Sequence, residues 1–291
     1  MLCLALVACA DPEVPAGPSV TRPPATPTAT QSASPSPLGV GRVVTGSFHS
    51  AALNRTMPYA VYLPPGYDAD PSARFPTLYM LHGGGGSNQE WVDYGLLKAA
   101  DQLMGDRTIP QFIIALPQGD QEYWVDHITS QIDNGEKWGT YLAKEVVPQI
   151  DGHFRTYGAA DERAIGGLSM GGHGAMQLPM NFPGIWSVIG AHSPSLRPEG
   201  DAPTYLGRGA EFAARDPLLL ITAKPDLART YTWWIDAGDV DPWRAESETI
   251  HNKLDSLGIA NEWHPYVGDH SGVYWGAHVA DYLAYYGRML R

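Results

Sequence analysis

Cysteine is almost absent from this 291-residue chain, with Cys3 and Cys9 both in the first ten residues and none in the rest. The body therefore has no disulfide and no thiolate metal ligand to offer, and its stability must come from packing. Basic residues are also scarce. Nineteen Lys and Arg face 31 Asp and Glu, for a formal net charge of -12, and no window gathers the cations into a stripe that could track phosphates, so nucleic acid is excluded as a partner. That charge also disfavours a strongly anionic polymer as ligand unless a local basic pocket receives it. No apolar run after residue 10 approaches the roughly 20 residues needed to span a bilayer. There is no internal repeat, and neither a GKS or GKT sequence nor a GxGxxG that would cradle a phosphate.

What is present divides the chain in three. Residues 1–9 are a short apolar stretch ending at Cys9, and Leu6, Val7, Ala8 and Cys9 resemble a bacterial lipobox, in which cleavage precedes a cysteine that carries a diacylglycerol. No Lys or Arg precedes that stretch, which a start assigned too far downstream would explain. Residues 10–38 are dominated by Pro, Thr, Ser and Ala and read as a disordered tether stiffened toward polyproline II. The expectation is a secreted or envelope-anchored protein, touching a membrane only through a lipid on Cys9. Residues 39–291 form the folded domain. Strand-like segments at 40–50, 58–63, 75–81, 112–116, 163–168, 186–191, 231–236 and 262–267 alternate with helical patterns at 91–104, 138–150 and after residue 169. This rhythm predicts an α/β fold with a mostly parallel central sheet of about eight strands, flanked by helices.

The sequence Gly167, Leu168, Ser169, Met170, Gly171 falls between a strand ending at Leu168 and the following helix. In that context GxSxG reads as a nucleophile elbow, a strained turn whose glycines let strand and helix approach. A serine hydroxyl needs an adjacent base to take its proton. In the chain order such sites follow, acid and then histidine come after the serine. Of the six downstream histidines, His173 lies in the nucleophile helix. His251, His264 and His278 fall within elements, and His192 lies just after a strand. His270 sits in a loop after the last strand and is the expected base. For the acid, Asp236, Asp239 and Asp241 all lie at or just beyond the end of the preceding strand, and an ordinary turn-capping role is open to each. His82 and Gly83 to Gly86 follow the third strand, where an HGGG-type loop supplies a backbone donor to an oxyanion; Gly84 is the expected donor, with Met170 as the second. His82 itself reads as a loop anchor.

Taken together, these segments resemble the esterase D and feruloyl-esterase branch of the α/β hydrolases, including carbohydrate esterase family one. The likeness runs through YAVYLPPGY (59–67), LYMLHGGGGSNQEW (78–91), RAIGGLSMGG (163–172), DAGDVD (236–241) and HSGVYWGAH (270–278). The family's GxxD pattern selects Gly238 and Asp241, and its base matches His270. The resemblance implies a serine esterase with a Ser169, His270, Asp241 triad and an acyl-enzyme, requiring no metal or organic cofactor. The segment between 196 and 229 leaves room only for a short cap, so an open cleft is expected, lined by some of Trp91, Tyr123, Trp124, Trp138 and Trp243. Such a cleft suits a feruloylated or acetylated polysaccharide fragment. Two departures bear on its shape: Pro179 falls inside the nucleophile helix and is expected to kink it, and AHSPS (191–195) replaces a small-residue turn, which can bring His192 into the pocket. The same scaffold resembles mycolyltransferases and ferric-enterobactin esterases, and a non-catalytic envelope binding protein is the alternative from another class.

Overall fold

Eight strands form in the computed structural model, which describes residues 38–129 and 135–290. The lipobox-like segment with Cys9, and the tether up to residue 37, lie outside the described residues. The strands are β1 (Arg42–Ser50), β2 (Arg55–Leu63), β3 (Thr77–Leu81), β4 (Ile113–Pro117), β5 (Arg163–Ser169), β6 (Val188–Pro194), β7 (Thr232–Gly238) and β8 (Asn261–Tyr266). They form one sheet in the order β1-β2-β4-β3-β5-β6-β7-β8. Among the described strands, only the β1–β2 and β2–β4 pairings are antiparallel. From β4 to β8 every pairing is parallel.

Burial explains which runs sit where. Every residue of β3, β4 and β6 is buried, as a strand covered on both faces requires, whereas β1 at one edge alternates and β8 at the other is only half-buried. Strand periodicity then sends side chains to two separate cores. Tyr79 and Leu81 of β3 join Trp138, Tyr141, Met176 and Trp233 on one face. Their neighbours Leu78 and Met80 join Trp91, Trp234, Tyr282 and Tyr286 on the other.

Between β3 and β4 the expected helix over 91–104 is two helices, α1 (Glu90–Asp93) and α2 (Leu96–Gly105), divided at Gly95, whose φ of 87° is left-handed. Residues 138–153 run as α3 (Trp138–Thr140), a π-helical stretch Tyr141–Val146, and α4 (Val147–His153). The nucleophile helix is α5 (Met170–Asn181); it contains Pro179 and ends two residues later, so the proline falls where the helix is already finishing. Short helices α6 (Ala210–Ala213), α7 (Pro217–Ala223) and α8 (Pro225–Ala228) make up the segment before β7. Two longer ones, α9 (Arg244–Ser256) and α10 (Gly272–Met289), follow β7 and β8. The C-terminal ends of β5 and β6, which carry Ser169 and Ser193, thus converge with the loops after β7 and β8 that carry Asp241 and His270.

Candidate active site

Ser169 ends β5 and caps α5 with φ 52° and ψ -118°, a conformation that L-residues other than glycine rarely adopt. The chain reverses so tightly there that a Cβ on Gly167 would lie 2.4 Å from the backbone of Gly171. The two glycines of the pattern are thus dictated by contact, and the turn lifts the serine hydroxyl off the end of the sheet.

His270 reaches that hydroxyl from the loop between β8 and α10. Its Nε2 is 2.8 Å from Ser169 Oγ, and its Nδ1 is 2.9 Å from Asp241 Oδ2. Asp241 follows the Gly238 turn, where a Cβ would fall 2.2 Å from the Gly268 carbonyl oxygen, so this glycine lets the acid-bearing and base-bearing loops touch. Beyond His270, Asp241 accepts hydrogen bonds from the Trp243 amide at 2.7 Å and from the Ser193 hydroxyl. Burial on its own would raise this carboxyl's pKa; the donors from His270, Ser193 and Trp243 outweigh it and hold the group below the ordinary carboxylate range. The carboxyl therefore stays ionised to lower pH than an ordinary aspartate.

The loop expected to hold an oxyanion lies against this serine: a Cβ on Gly83 would sit 3.5 Å from Ser169 Cβ. The Gly83 amide itself donates to Glu90 Oε2 at 2.7 Å. Gly84, the expected donor, is exposed, and its amide makes no hydrogen bond within the described residues. Met170 is the first residue of α5, where an amide has no intrahelical acceptor. His82 anchors the loop: Nδ1–H donates to the Gly83 carbonyl at 2.8 Å, and Nε2 accepts the Gly119 amide at 2.8 Å. Burial lowers its pKa and keeps it in that neutral form.

Not every expected residue lies at the cleft. Trp91 is 1 % exposed, donates its indole N–H to the Leu81 carbonyl and packs under the sheet. Trp124, equally buried, donates to the His82 carbonyl and supports the glycine loop from behind. Trp138 is buried beside Tyr141. His192 has no exposed surface; its ring is enclosed between Asp236 and Tyr286 and stacks on Tyr282. None of these four lines a substrate pocket, because each has at most 1 % of its surface exposed. Asp239, the alternative acid, instead accepts the Gly268 amide and ties the two loops together. Asp236 accepts side-chain donors in the core.

Tyr123 and Trp243 do flank the site. The Tyr123 hydroxyl bonds Ser195 Oγ at 2.8 Å, and Ser195 in turn donates its amide to the Ser169 carbonyl at 2.9 Å. Trp243 lies two residues beyond the acid that its amide contacts. Two residues escaped the sequence reading. Ser193, fully buried with φ 49°, contacts both Asp241 and His270 Nδ1, the latter at 3.1 Å. Arg197 donates Nε–H to the Tyr123 hydroxyl at 2.9 Å. The available signal was the departure at AHSPS, which pointed to the right segment but to His192 within it.

The sheet order, the strained serine between β5 and α5 and the following helices define an α/β-hydrolase fold. The chain belongs to the Esterase family, whose pattern matches residues 50–286. Among curated proteins it is 26% identical over 257 residues to Esterase Rv1288 of Mycobacterium tuberculosis, covering 77% of this chain and 54% of that one. The chain thus spans about half the length of that relative. Among solved structures, a ferulic acid esterase superposes with a TM-score of 0.77 at 23% identity, over 86% of this chain and 99% of the other. The fluorophosphonate-binding serine hydrolase FphF of Staphylococcus aureus superposes with a TM-score of 0.73 at 16% identity, over 85% and 99%.

Proposed function

We propose that the protein hydrolyses carboxylic esters through an acyl-enzyme formed on Ser169. The observation that carries this reading is the placement of His270 Nε2 2.8 Å from Ser169 Oγ, with Nδ1 2.9 Å from Asp241. His270 takes the hydroxyl proton as Ser169 Oγ bonds to the ester carbonyl carbon. Asp241 fixes the ring as its Nδ1–H tautomer and stabilises the imidazolium. The amides of Met170 and Gly84 receive the oxyanion, a donor of this kind being worth about 2.7 to 4 kcal/mol in the transition state. His270 then returns the proton to the departing alcohol, and water repeats the sequence to release the acid.

The substrate class we infer is an acetyl or feruloyl ester on polysaccharide. Support comes from the short α6–α8 segment, which leaves the cleft without a large cap, and from relatives such as the endo-1,4-beta-xylanase/feruloyl esterase of Xylanibacter ruminicola, 28% identical over 184 residues. Export and lipid attachment at Cys9 complete the reading; incorporation of an alkyne-labelled fatty acid, lost in Cys9→Ser, tests them.

The decisive experiment compares wild type and Ser169→Ala on p-nitrophenyl acetate, longer acyl esters and methyl ferulate, with fluorophosphonate labelling in parallel. Turnover should fall by on the order of a thousandfold or more, with labelling abolished. An alanine variant that keeps its activity would remove Ser169 from the reaction.

A further inference from the structure

Five arginines of this acidic chain, Arg42, Arg55, Arg163, Arg229 and Arg288, each form an ion pair with a carboxylate. Arg197 does not. It is half-buried, and among the described residues it forms no ion pair. Its Nε–H is bound to the Tyr123 hydroxyl, and its guanidinium carbon lies 5.1 Å from the centre of the Trp243 ring. One edge and one face are therefore fixed, and its terminal nitrogens have no hydrogen-bond partner among the described residues. Asp216 and Glu246 line a cavity that Arg197 also borders, yet neither comes within 4 Å of its nitrogens. Asp216 is occupied in capping α7.

Both residues that hold Arg197 are tied to the reacting centre. Tyr123 is linked through Ser195 to the Ser169 carbonyl, and Trp243 is linked through its amide to Asp241. The Tyr123 position is also strained: Tyr123 and Trp124 are consecutive non-glycine residues at φ 52° and 58°. Left-handed residues of this kind cost on the order of 1–3 kcal/mol each and persist where the surroundings impose them, often at ligand sites. Here the imposed turn delivers the phenol to Arg197.

We propose that Arg197, braced by Tyr123 and Trp243, receives a carboxylate carried by the ester substrate. The proposal rests on Ser169 being the nucleophile, and it narrows the substrate class to esters with an anionic oxygen group on the acyl or the alcohol side. A guanidinium fork matches the planar carboxylate with two parallel hydrogen bonds, and it is less strongly hydrated than an ammonium group. It also supplies the local positive charge that a chain of net charge -12 needs in order to admit an anion.

The test uses two substrate pairs on the full-length protein. Mono-p-nitrophenyl glutarate and its methyl ester place the charge on the acyl side; 4-acetoxybenzoate and its methyl ester place it on the alcohol side. For each pair the reading is the ratio of kcat/KM, charged over neutral, in wild type, Arg197→Gln and Arg197→Lys. In one of the pairs the ratio should fall by on the order of tenfold or more in Arg197→Gln. Arg197→Lys should recover only part of it, because a point charge replaces the fork. The pair that responds identifies the side that carries the carboxylate. Ratios within twofold of wild type in both pairs would overturn the assignment, even if absolute rates change. Failure of the underlying reading looks different: wild type would hydrolyse neither ester of a pair, or Ser169→Ala would hydrolyse both.

Discussion

Two aspartate–histidine pairs stand side by side at the end of β7, and only one of them faces a serine. Asp241 meets His270 in the loops above the sheet; Asp236, five residues earlier, meets His192 inside it, with Nδ1 to Oδ2 distances of 2.9 and 2.8 Å. The partners of the far ring nitrogen separate them. His270 Nε2 faces Ser169 at the strained elbow, and its side chain is 21% exposed. His192 Nε2 faces the Tyr286 hydroxyl, and neither Asp236 nor His192 has any exposure. Asp236 also accepts Trp234 Nε1–H and the hydroxyls of Tyr274 and Tyr282. Every proton in the inner pair is committed to β6, β7 and α10, and burial holds the Tyr286 phenol well above its ordinary pKa. What separates the two pairs is the partner of the outer nitrogen, a partly exposed serine hydroxyl in one and a buried phenol in the other. In the inner position the same pair is a fastening.

The largest effect that separates the two comes from replacing each acid in turn. Asp241→Asn should lower kcat on p-nitrophenyl acetate by about a thousandfold to ten-thousandfold, because the amide favours the wrong imidazole tautomer. Its melting temperature should stay near that of wild type. Asp236→Asn should do the reverse. Removing one partner of a buried pair costs roughly 3–5 kcal/mol, measured by urea unfolding, while kcat per fluorophosphonate-titrated site stays within a few fold. Should both variants lose activity and stability together, the division between base and fastening fails.

A third histidine sharpens the comparison because it has no carboxylate at all. His173, on α5 four residues past the nucleophile, is fully buried, and its Nδ1 has no partner. Burial pushes its pKa down from 6.5 to about 3, only partly opposed by a hydrogen bond with the Tyr123 backbone. The unfolded chain therefore binds a proton below pH 6.5 that the native state refuses. Stability from this group is complete above pH 6.5 and drains between pH 6.5 and 3, by up to about 1.4 kcal/mol per pH unit. Urea midpoints taken from pH 7.5 to 5 should fall more steeply in wild type than in His173→Gln; parallel lines would show that His173 titrates normally.

Sequence and structure agree where function depends on chain position and part where it depends on side-chain direction. Ser169 and His270 were legible because each sits at a strand end or in a loop marked by glycine, and parallel-sheet topology brings those ends together; Asp241 was one of three carboxylates in its segment, and only the family's GxxD pattern selected it. Trp91, Trp124 and His192 flank the same motifs, but strand alternation and tight loop packing turn them into the cores, which composition does not reveal. Gly95 also divided a helix whose apolar spacing looked continuous. Ser193 and Arg197 were hidden for another reason: their partners, Asp241 and Tyr123, lie 48 and 74 residues away in the chain.

The smallest predicted effect concerns Ser193, which gives the outer pair the second donor that Trp234 gives the inner one. Its hydroxyl donates to the carboxylate oxygen that also accepts His270 Nδ1–H, and its left-handed backbone holds it there. Ser193→Ala should lower kcat/KM by about tenfold, the scale of one hydrogen bond to a charged group. With one donor fewer, Asp241 concentrates its charge on the imidazole and favours the imidazolium. The acidic limb of the kcat/KM profile should therefore move to higher pH, while Asp241, held below the carboxylate range, leaves that limb with unit slope. A serine that merely fills space would lower the folded fraction and leave the limb where it was.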